Sequence, residues 1–294
     1  MSSSVNSTLY HGLTLNAAKR LLVQKFTEAE IETPKLDARI LLSEVTGFEH
    51  ADLIAKGGAL LTPSQATHMQ QLTQRRLSGE PIDHILGYRE FYGRPFKVTK
   101  DVLSPRPETE GLIEQALALY DEASAIKCLD LGTGSGAIIL TLLAERPKWS
   151  GVAVDLSAAA LEVAKTNARN MGLAARMEFI QGSWCDGIEG QFDLIVSNPP
   201  YIDKAHMENL STEVQEYDPA LSLYGGPDGL VAYREIVNQA PRYLKENGRL
   251  ILEIGYDQKE SVGRLLRDGP FMDVKYHADL AGLDRIMTAK VKVM

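Results

Sequence analysis

From residue 127 onward, short apolar runs alternate with longer segments of helical period, and this alternation narrows the possible folds more than any other feature. Runs at 127–131, 151–154, 177–180, 192–196 and 249–254 have the length and character of buried strands. Between and after them, 137–145, 158–171, 230–244 and 258–267 read as helices. Strands separated in this way cannot be joined by tight hairpins. They pair in parallel, and helices cover both faces of the sheet. Two further runs, 271–277 and 285–290, add a final strand pair. The expectation is an α/β domain with a seven-stranded, mostly parallel sheet.

In such sheets ligands gather beyond the carboxyl ends of the strands, and four strand ends here carry candidate chemistry. The first strand runs into Asp130-Leu131-Gly132-Thr133-Gly134-Ser135-Gly136. Its glycines allow a sharp turn and leave room for a ligand against the backbone. The spacing is one residue short of the dinucleotide fingerprint, which disfavours a nicotinamide-dependent dehydrogenase. The second strand ends at Asp155, where a carboxylate can accept both hydroxyls of a ribose, so a nucleoside-containing cofactor is expected. Trp184 follows the third strand and either stacks on a base or belongs to the core. The fourth strand ends in Ser197-Asn198-Pro199-Pro200-Tyr201. Neither proline donates a backbone hydrogen bond, so the ladder must stop there.

Asn-Pro-Pro-Tyr suits methyl transfer to a planar nitrogen. An amide or exocyclic amine is a poor nucleophile because its lone pair is delocalised. The Asn198 side-chain carbonyl and the Pro199 backbone carbonyl would each accept one N–H, favouring a pyramidal nitrogen, while Tyr201 offers a flat face. The same tetrapeptide also fits a plain strand end with a Pro-Pro turn and a buried Tyr. The six histidines form no close-spaced ligand pair and the two cysteines lack metal-site spacing, so no metal is expected.

The first 85 residues read as a helical domain. Thr14 caps a helix with Leu15, Ala18, Leu22 and Phe26 on one face. Thr33-Pro34 opens a second, with Leu36, Ile40 and Leu41 apolar and Gly47 as its stop. After a short segment at 51–56, Thr62-Pro63 opens a longer helix ending near Leu77, whose Arg75 and Arg76 are expected on a solvated face. Residues 86–104 are expected to form a hairpin linker with Gly93 and Pro95 at its turn, leaving 105–294 as the catalytic domain. A helix is expected after Pro107, running to Tyr120. The net charge of −8 argues against a broad nucleic-acid surface, so no direct nucleic-acid binding is expected. Two cysteines suit a reducing cytoplasm, and no apolar stretch approaches a membrane span. The first seven residues are expected to be a frayed tail and not a signal peptide.

Taken together, the glycine run, Asp155 and the Asn198 to Tyr201 tetrapeptide resemble a class I S-adenosylmethionine-dependent methyltransferase. Phe91-Tyr92-Gly93, Arg106-Pro107-Glu108-Thr109-Glu110, Asp228-Gly229-Leu230 and Asp279-Leu280-Ala281-Gly282-Leu283-Asp284-Arg285 narrow the resemblance to the PrmC/HemK family, glutamine-N5 methyltransferases of peptide chain release factors. The resemblance implies that Gly132, Thr133, Gly134, Ser135 and Gly136 wrap the methionine end of the cofactor, that Asp155 holds the ribose and that Trp184 lies near the adenine. It implies that Asn198, Pro199, Pro200 and Tyr201 bind the glutamine of a Gly-Gly-Gln loop, with Asn198, Pro199 and Tyr201 catalytic and Asn198 also beside the cofactor. Ser183 stands where relatives often carry Asp, a departure at the adenine end. An adenine-N6 methyltransferase, a glutamine methyltransferase for a ribosomal protein and a cofactor-binding regulator without turnover are the alternatives.

Overall fold

The computed structural model describes residues 9–292, so the tail expectation for the first seven residues lies outside it. The chain divides into two units, Met1–Leu86 and Gly87–Met294. The first is helical: α1 (Leu15–Glu28), α2 (Pro34–Thr46), α3 (His50–Ala55), α4 (Pro63–Leu77) and α5 (Ile82–Leu86). Thr14 caps α1 by accepting the Ala17 N–H, and Thr62 and Gln65 form a reciprocal capping box on α4. Gly47 ends α2 in the left-handed conformation, at φ 70°. Leu22, Phe26, Leu41 and Met69 meet in the core.

Two expectations for this unit fail. Leu36 is exposed, and the buried face of α2 is Asp37, Ala38, Leu41 and Leu42. Arg76 is not on a solvated face: its Nε donates to Asp37 Oδ2 at 2.7 Å, and both side chains are almost wholly buried. The pair explains both shifts. Asp37 turns inward because Arg76 neutralises it, and α2 rotates to suit. Arg75 stays partly exposed and pairs with Glu80.

In the second unit, β1 (Tyr88–Phe91) and β2 (Arg94–Lys97) form a hairpin whose two-residue turn is Tyr92-Gly93, both at positive φ. Pro95 therefore lies inside β2 and not at the turn, which a two-stranded ribbon tolerates. Phe91 and Phe96 meet edge to face and are buried against α6 (Glu110–Ala118), which is shorter than expected, and α7 (Ala137–Glu145). Asn167 locks the hairpin to the sheet layer: its side chain accepts from Lys97 N and donates to the carbonyls of Lys97 and Ser135.

The main sheet contains β3 (Lys127–Leu131), β4 (Ser150–Asp155), β5 (Met177–Gln181), β6 (Phe192–Ser197), β7 (Leu244–Glu253), β8 (Phe271–Ala278) and β9 (Asp284–Val291). Their spatial order is β5-β4-β3-β6-β7-β9-β8, parallel except for the two pairs made by β9. Alternation along the strands sorts the core into two layers. Leu129, Leu131, Val152, Val154 and Ile195 face one set of helices; Cys128, Ala153, Leu194 and Val196 face the other. Helices α8 (Ala158–Asn170), α12 (Val231–Gln239) and α13 (Lys259–Asp268) complete the layers. The expected helix at 230–244 stops early, because Pro241 removes a ladder donor and a 3₁₀ turn leads into β7. Three short helices have no counterpart in the sequence pattern: α9 (Lys204–Met207), α10 (Thr212–Tyr217) and α11 (Ala220–Leu223). Chain order reverses between β3 and β6, and that point is where an open α/β sheet has its crevice. Among the described residues no helix is long and apolar enough to cross a membrane.

Candidate functional site

A cavity of about 350 Å³ opens at this reversal point. Its floor is the loop from β3 to α7. The N–H groups of Gly132 and Thr133 both reach Val154 O, at 2.9 and 3.0 Å, folding the loop back over β4. Gly134, at φ 56°, then turns its N–H to Asp155 Oδ2 at 2.8 Å. Gly136, at φ 82°, closes the turn in a backbone conformation that strains any side chain, and a Cβ there would also crowd Leu140 Cδ1 at 2.9 Å.

Asp155 ends β4 with each oxygen accepting one backbone N–H, from Gly134 and Ser157. Burial raises its carboxyl above the ordinary range, and the Ser157 and Gly134 N–H groups partly offset this. Each oxygen keeps a further lone pair, and Asp155 lines the cavity. Trp184 adopts a left-handed backbone conformation, φ 50°, that is uncommon outside glycine. Its ring lies over Gly132: a Cβ placed on that glycine would be 3.8 Å from the indole.

Across the cavity stands the end of β6. The Ser197 hydroxyl donates to Leu131 O at 2.6 Å, fixing the β6 terminus to the start of the glycine loop. Asn198 and Pro200 line the cavity, whereas Pro199 is buried and Tyr201 packs its ring against the core. Burial raises the Tyr201 hydroxyl above its ordinary range. Gln258 donates to Tyr201 O at 3.0 Å, and a Cβ on Gly229 would strike that same carbonyl at 2.4 Å. This accounts for Asp228-Gly229-Leu230 as a backbone seat for the tetrapeptide. The Asp279 to Arg285 stretch closes the β8–β9 connection, where Asp279 accepts the N–H groups of Ala281 and Leu283.

Of the residues expected at a site, Gly132, Thr133, Gly134, Ser135, Asp155, Trp184, Asn198 and Pro200 thus share one cavity, while Gly136, Pro199 and Tyr201 support its walls.

Two family descriptions match the sequence: PrmC N-terminal domain over residues 17–87 and methyltransferase small domain over residues 112–216. The chain is 44% identical, over 96% of its length and 96% of the relative's, to a release factor glutamine methyltransferase of Bradyrhizobium diazoefficiens. A protein of the same name from Neisseria gonorrhoeae is 44% identical over 87% of this chain and 93% of its own. The chain belongs to the release factor glutamine methyltransferase family.

Among solved structures, the hMettl16 catalytic domain superposes with a TM-score of 0.57, at 15% identity, over 85% of this chain and 96% of that one. A methyltransferase from Pyrococcus furiosus gives 0.51 at 18% identity, over 76% of this chain and 99% of that one. Both likenesses are of fold, the class I methyltransferase fold.

This release factor glutamine methyltransferase family member also places residues at the cavity that the strand-end reading passed over. Ser104, Arg106 and Thr109 line it from the segment before α6. Arg106 donates to Asp218 at 2.8 Å, joining that segment to the end of α10, just before α11, whose Leu221 and Ser222 form the opposite rim. Two acids stand on the strands themselves. Asp130, wholly buried on β3, accepts the Thr133 hydroxyl through Oδ2, while Oδ1 has no partner. Burial, with a contribution from Asp155, pushes its carboxyl up to about 7, although the Thr133 hydroxyl pulls the other way. Glu253, at the end of β7, is 3% exposed and is likewise pushed by burial to about 7.

Proposed function

We propose that the chain methylates the side-chain amide nitrogen of the glutamine in the Gly-Gly-Gln motif of peptide chain release factors, with S-adenosylmethionine as donor. The observation that carries the reading is the position of Asn198 on the wall of the same cavity as the glycine loop and Asp155, in a chain whose relatives are named for that reaction.

The residues fit such a cofactor. Gly134 has open space where a side chain would stand, Gly132 is overlain only by Trp184, and the buried Ser104 hydroxyl at the cavity wall has no partner. The cavity volume lies within the range of small-molecule sites. Gly132, Thr133, Gly134, Ser135 and Gly136 would hold the methionine portion, Asp155 the ribose and Trp184 the adenine edge. When bound, the cofactor supplies an electrophilic methyl group on a sulfonium.

The chain's own contribution is orientation. The Asn198 side-chain carbonyl and the Pro199 backbone carbonyl would accept the two N–H bonds of the substrate amide, so that its nitrogen lone pair is directed at the donor. Those contacts strengthen as positive charge develops on nitrogen. Holding the reactants in register is worth up to ~7–11 kcal/mol in favourable intramolecular cases. Tyr201 would support the planar amide.

A pocket that reads one glutamine offers too little surface to select a folded protein. Residues 1–85 are assigned to docking of the release factor, 86–104 to the hairpin linker and 105–294 to methyl transfer.

The test is mass spectrometry of release factor, ribosomal proteins and DNA after incubation with the enzyme and S-adenosylmethionine. One methyl group on the release factor glutamine is the expected product. Methylation of DNA or of a ribosomal protein, with release factor untouched, would refute the assignment.

A further inference from the structure

A buried carboxylate just behind the wall of a catalytic cavity needs a reason, because desolvation disfavours its charge. Glu253 is such a group. Ser197 and Leu252 are partners in the β6–β7 register, so Glu253 is the next residue along β7 as Asn198 is along β6. Thr109, which is 5% exposed, interacts with both the Asn198 amide and the Glu253 carboxyl. Asn198 Nδ2 donates to Thr109 Oγ1 at 3.4 Å, and Glu253 Oε2 is buried with no hydrogen-bond partner. Resting on the role assigned above to Asn198, we propose that Glu253 is the positioning residue that fixes which end of the Asn198 amide faces the cavity.

The argument is one of donors and acceptors. An asparagine amide presents a carbonyl on one side and an NH₂ on the other, and only the carbonyl can accept a substrate N–H. The NH₂ must therefore be held inward by acceptors. Thr109 Oγ1 accepts one of its protons, which leaves the hydroxyl proton of Thr109 to be placed. An ionised Glu253 has no proton to give, so hydrogen bonds can run in only one direction: Asn198 to Thr109 to Glu253. A neutral group at 253 offers a donor, and the chain can then reverse, with Asn198 turning its NH₂ into the cavity.

The electrostatics agree. Burial raises the Glu253 carboxyl to about 7, Thr109, Arg285 and Asn198 draw it down, and Glu108 opposes them. Tyr201 also faces it, and the Tyr233 hydroxyl donates to its backbone carbonyl at 3.0 Å. The orienting form is the ionised one. The chemical step should accordingly quicken as pH rises through about 7, the value to which burial brings this carboxyl.

Four full-length proteins test this: the native chain, Glu253→Gln, Asn198→Ala and the double variant. Each is assayed by single-turnover methylation of release factor at pH 6 and pH 8 and by calorimetry with S-adenosylmethionine. Glu253→Gln is expected to slow transfer at pH 8 by about 10- to 100-fold, the scale of a small misplacement of reacting groups. Cofactor affinity should be unchanged and the rise between pH 6 and pH 8 lost. In the Asn198→Ala background the same change should have almost no further effect. A Glu253→Gln protein with the native rate, or one that slows Asn198→Ala by the full factor, overturns the positioning role while leaving that of Asn198 intact. An Asn198→Ala protein at native speed overturns both. If Glu253→Gln fails to fold, Thr109→Val breaks the same relay with a side chain of equal shape, and a native rate there is equally fatal.

Discussion

Asp155→Ala separates the two duties that the geometry assigns to this carboxylate. In the structure it accepts the N–H groups of Gly134 and Ser157, both at 2.8 Å, and in the proposed complex its remaining lone pairs take two ribose hydroxyls. Hydrogen bonds to a charged acceptor contribute about 1.5–3 kcal/mol each. Losing the ribose pair alone should weaken binding by about 3–6 kcal/mol, or roughly two to four orders of magnitude. The loop contributes separately, since Gly134 at positive φ would lose the acceptor that holds its turn. Calorimetry with S-adenosylmethionine measures the sum, and hydrogen exchange at the Gly134 amide without cofactor reports the loop alone. The expected result is faster exchange there and a dissociation constant raised at least a hundredfold. An unchanged dissociation constant would refute the ribose assignment, and unchanged exchange would refute the loop argument.

Tyr201→Phe keeps the ring packed against the core and should retain most methyl transfer, whereas Tyr201→Ala should lose most of it; equal losses in single-turnover assays would assign the effect to the hydroxyl. Asp130 holds a proton in the fold up to a pH of about 7 that an ordinary carboxyl releases near 3.9. The native state therefore binds more protons than the unfolded chain between those values, and stability of the cofactor-free protein should fall as pH rises through that window, by at most about 4 kcal/mol from this group. Asp130→Asn should flatten the decline in urea midpoints between pH 4 and pH 8, leaving the share due to Glu253; an unaltered slope would contradict the buried, half-partnered carboxyl. A chain beginning at Gly87 should fold and bind S-adenosylmethionine but methylate release factor poorly, because stable interfaces bury on the order of 1,200–2,000 Å². Normal methylation by that shortened chain would remove the docking assignment.

The sheet was legible because its signal is long and redundant. The runs at 127–131 and 137–145 coincide with β3 and α7 residue for residue, since a strand buried on both faces cannot hide its apolar character. Where that redundancy lapses the reading slips. The first half of β7 carries exposed Lys245, Glu246 and Asn247, so neither period shows there and the strand pattern begins only at residue 249. Helices α9, α10 and α11 have four to six residues each, too few to display a 3.6-residue repeat, yet the last of them forms a rim of the cavity. Arg76 is illegible for a different reason: a single arginine reads as solvated until its partner, Asp37 on another helix, is known.

The same logic separates what could be read of the site from what could not. The glycine run, Asp155 and Asn198 each sit where a strand stops, and turn chemistry marks such places in a sequence. Asp130 and Glu253 sit inside apolar runs, Cys128-Leu129-Asp130-Leu131 and Ile251-Leu252-Glu253-Ile254, where a lone acid looks like noise. Asp193 interrupts Phe192-Asp193-Leu194 in the same way, but it stands at the amino end of its strand. There it accepts the Lys127 N–H and pairs with Lys245, both at 2.8 Å, and is spent on structure. Asp130 and Glu253 stand toward the carboxyl ends, each with one oxygen left unpartnered. An acid within an otherwise apolar strand therefore gains functional weight according to which end of the strand it occupies. In a parallel sheet the carboxyl ends face the crevice, and a half-satisfied carboxylate there can orient the side chains that line it.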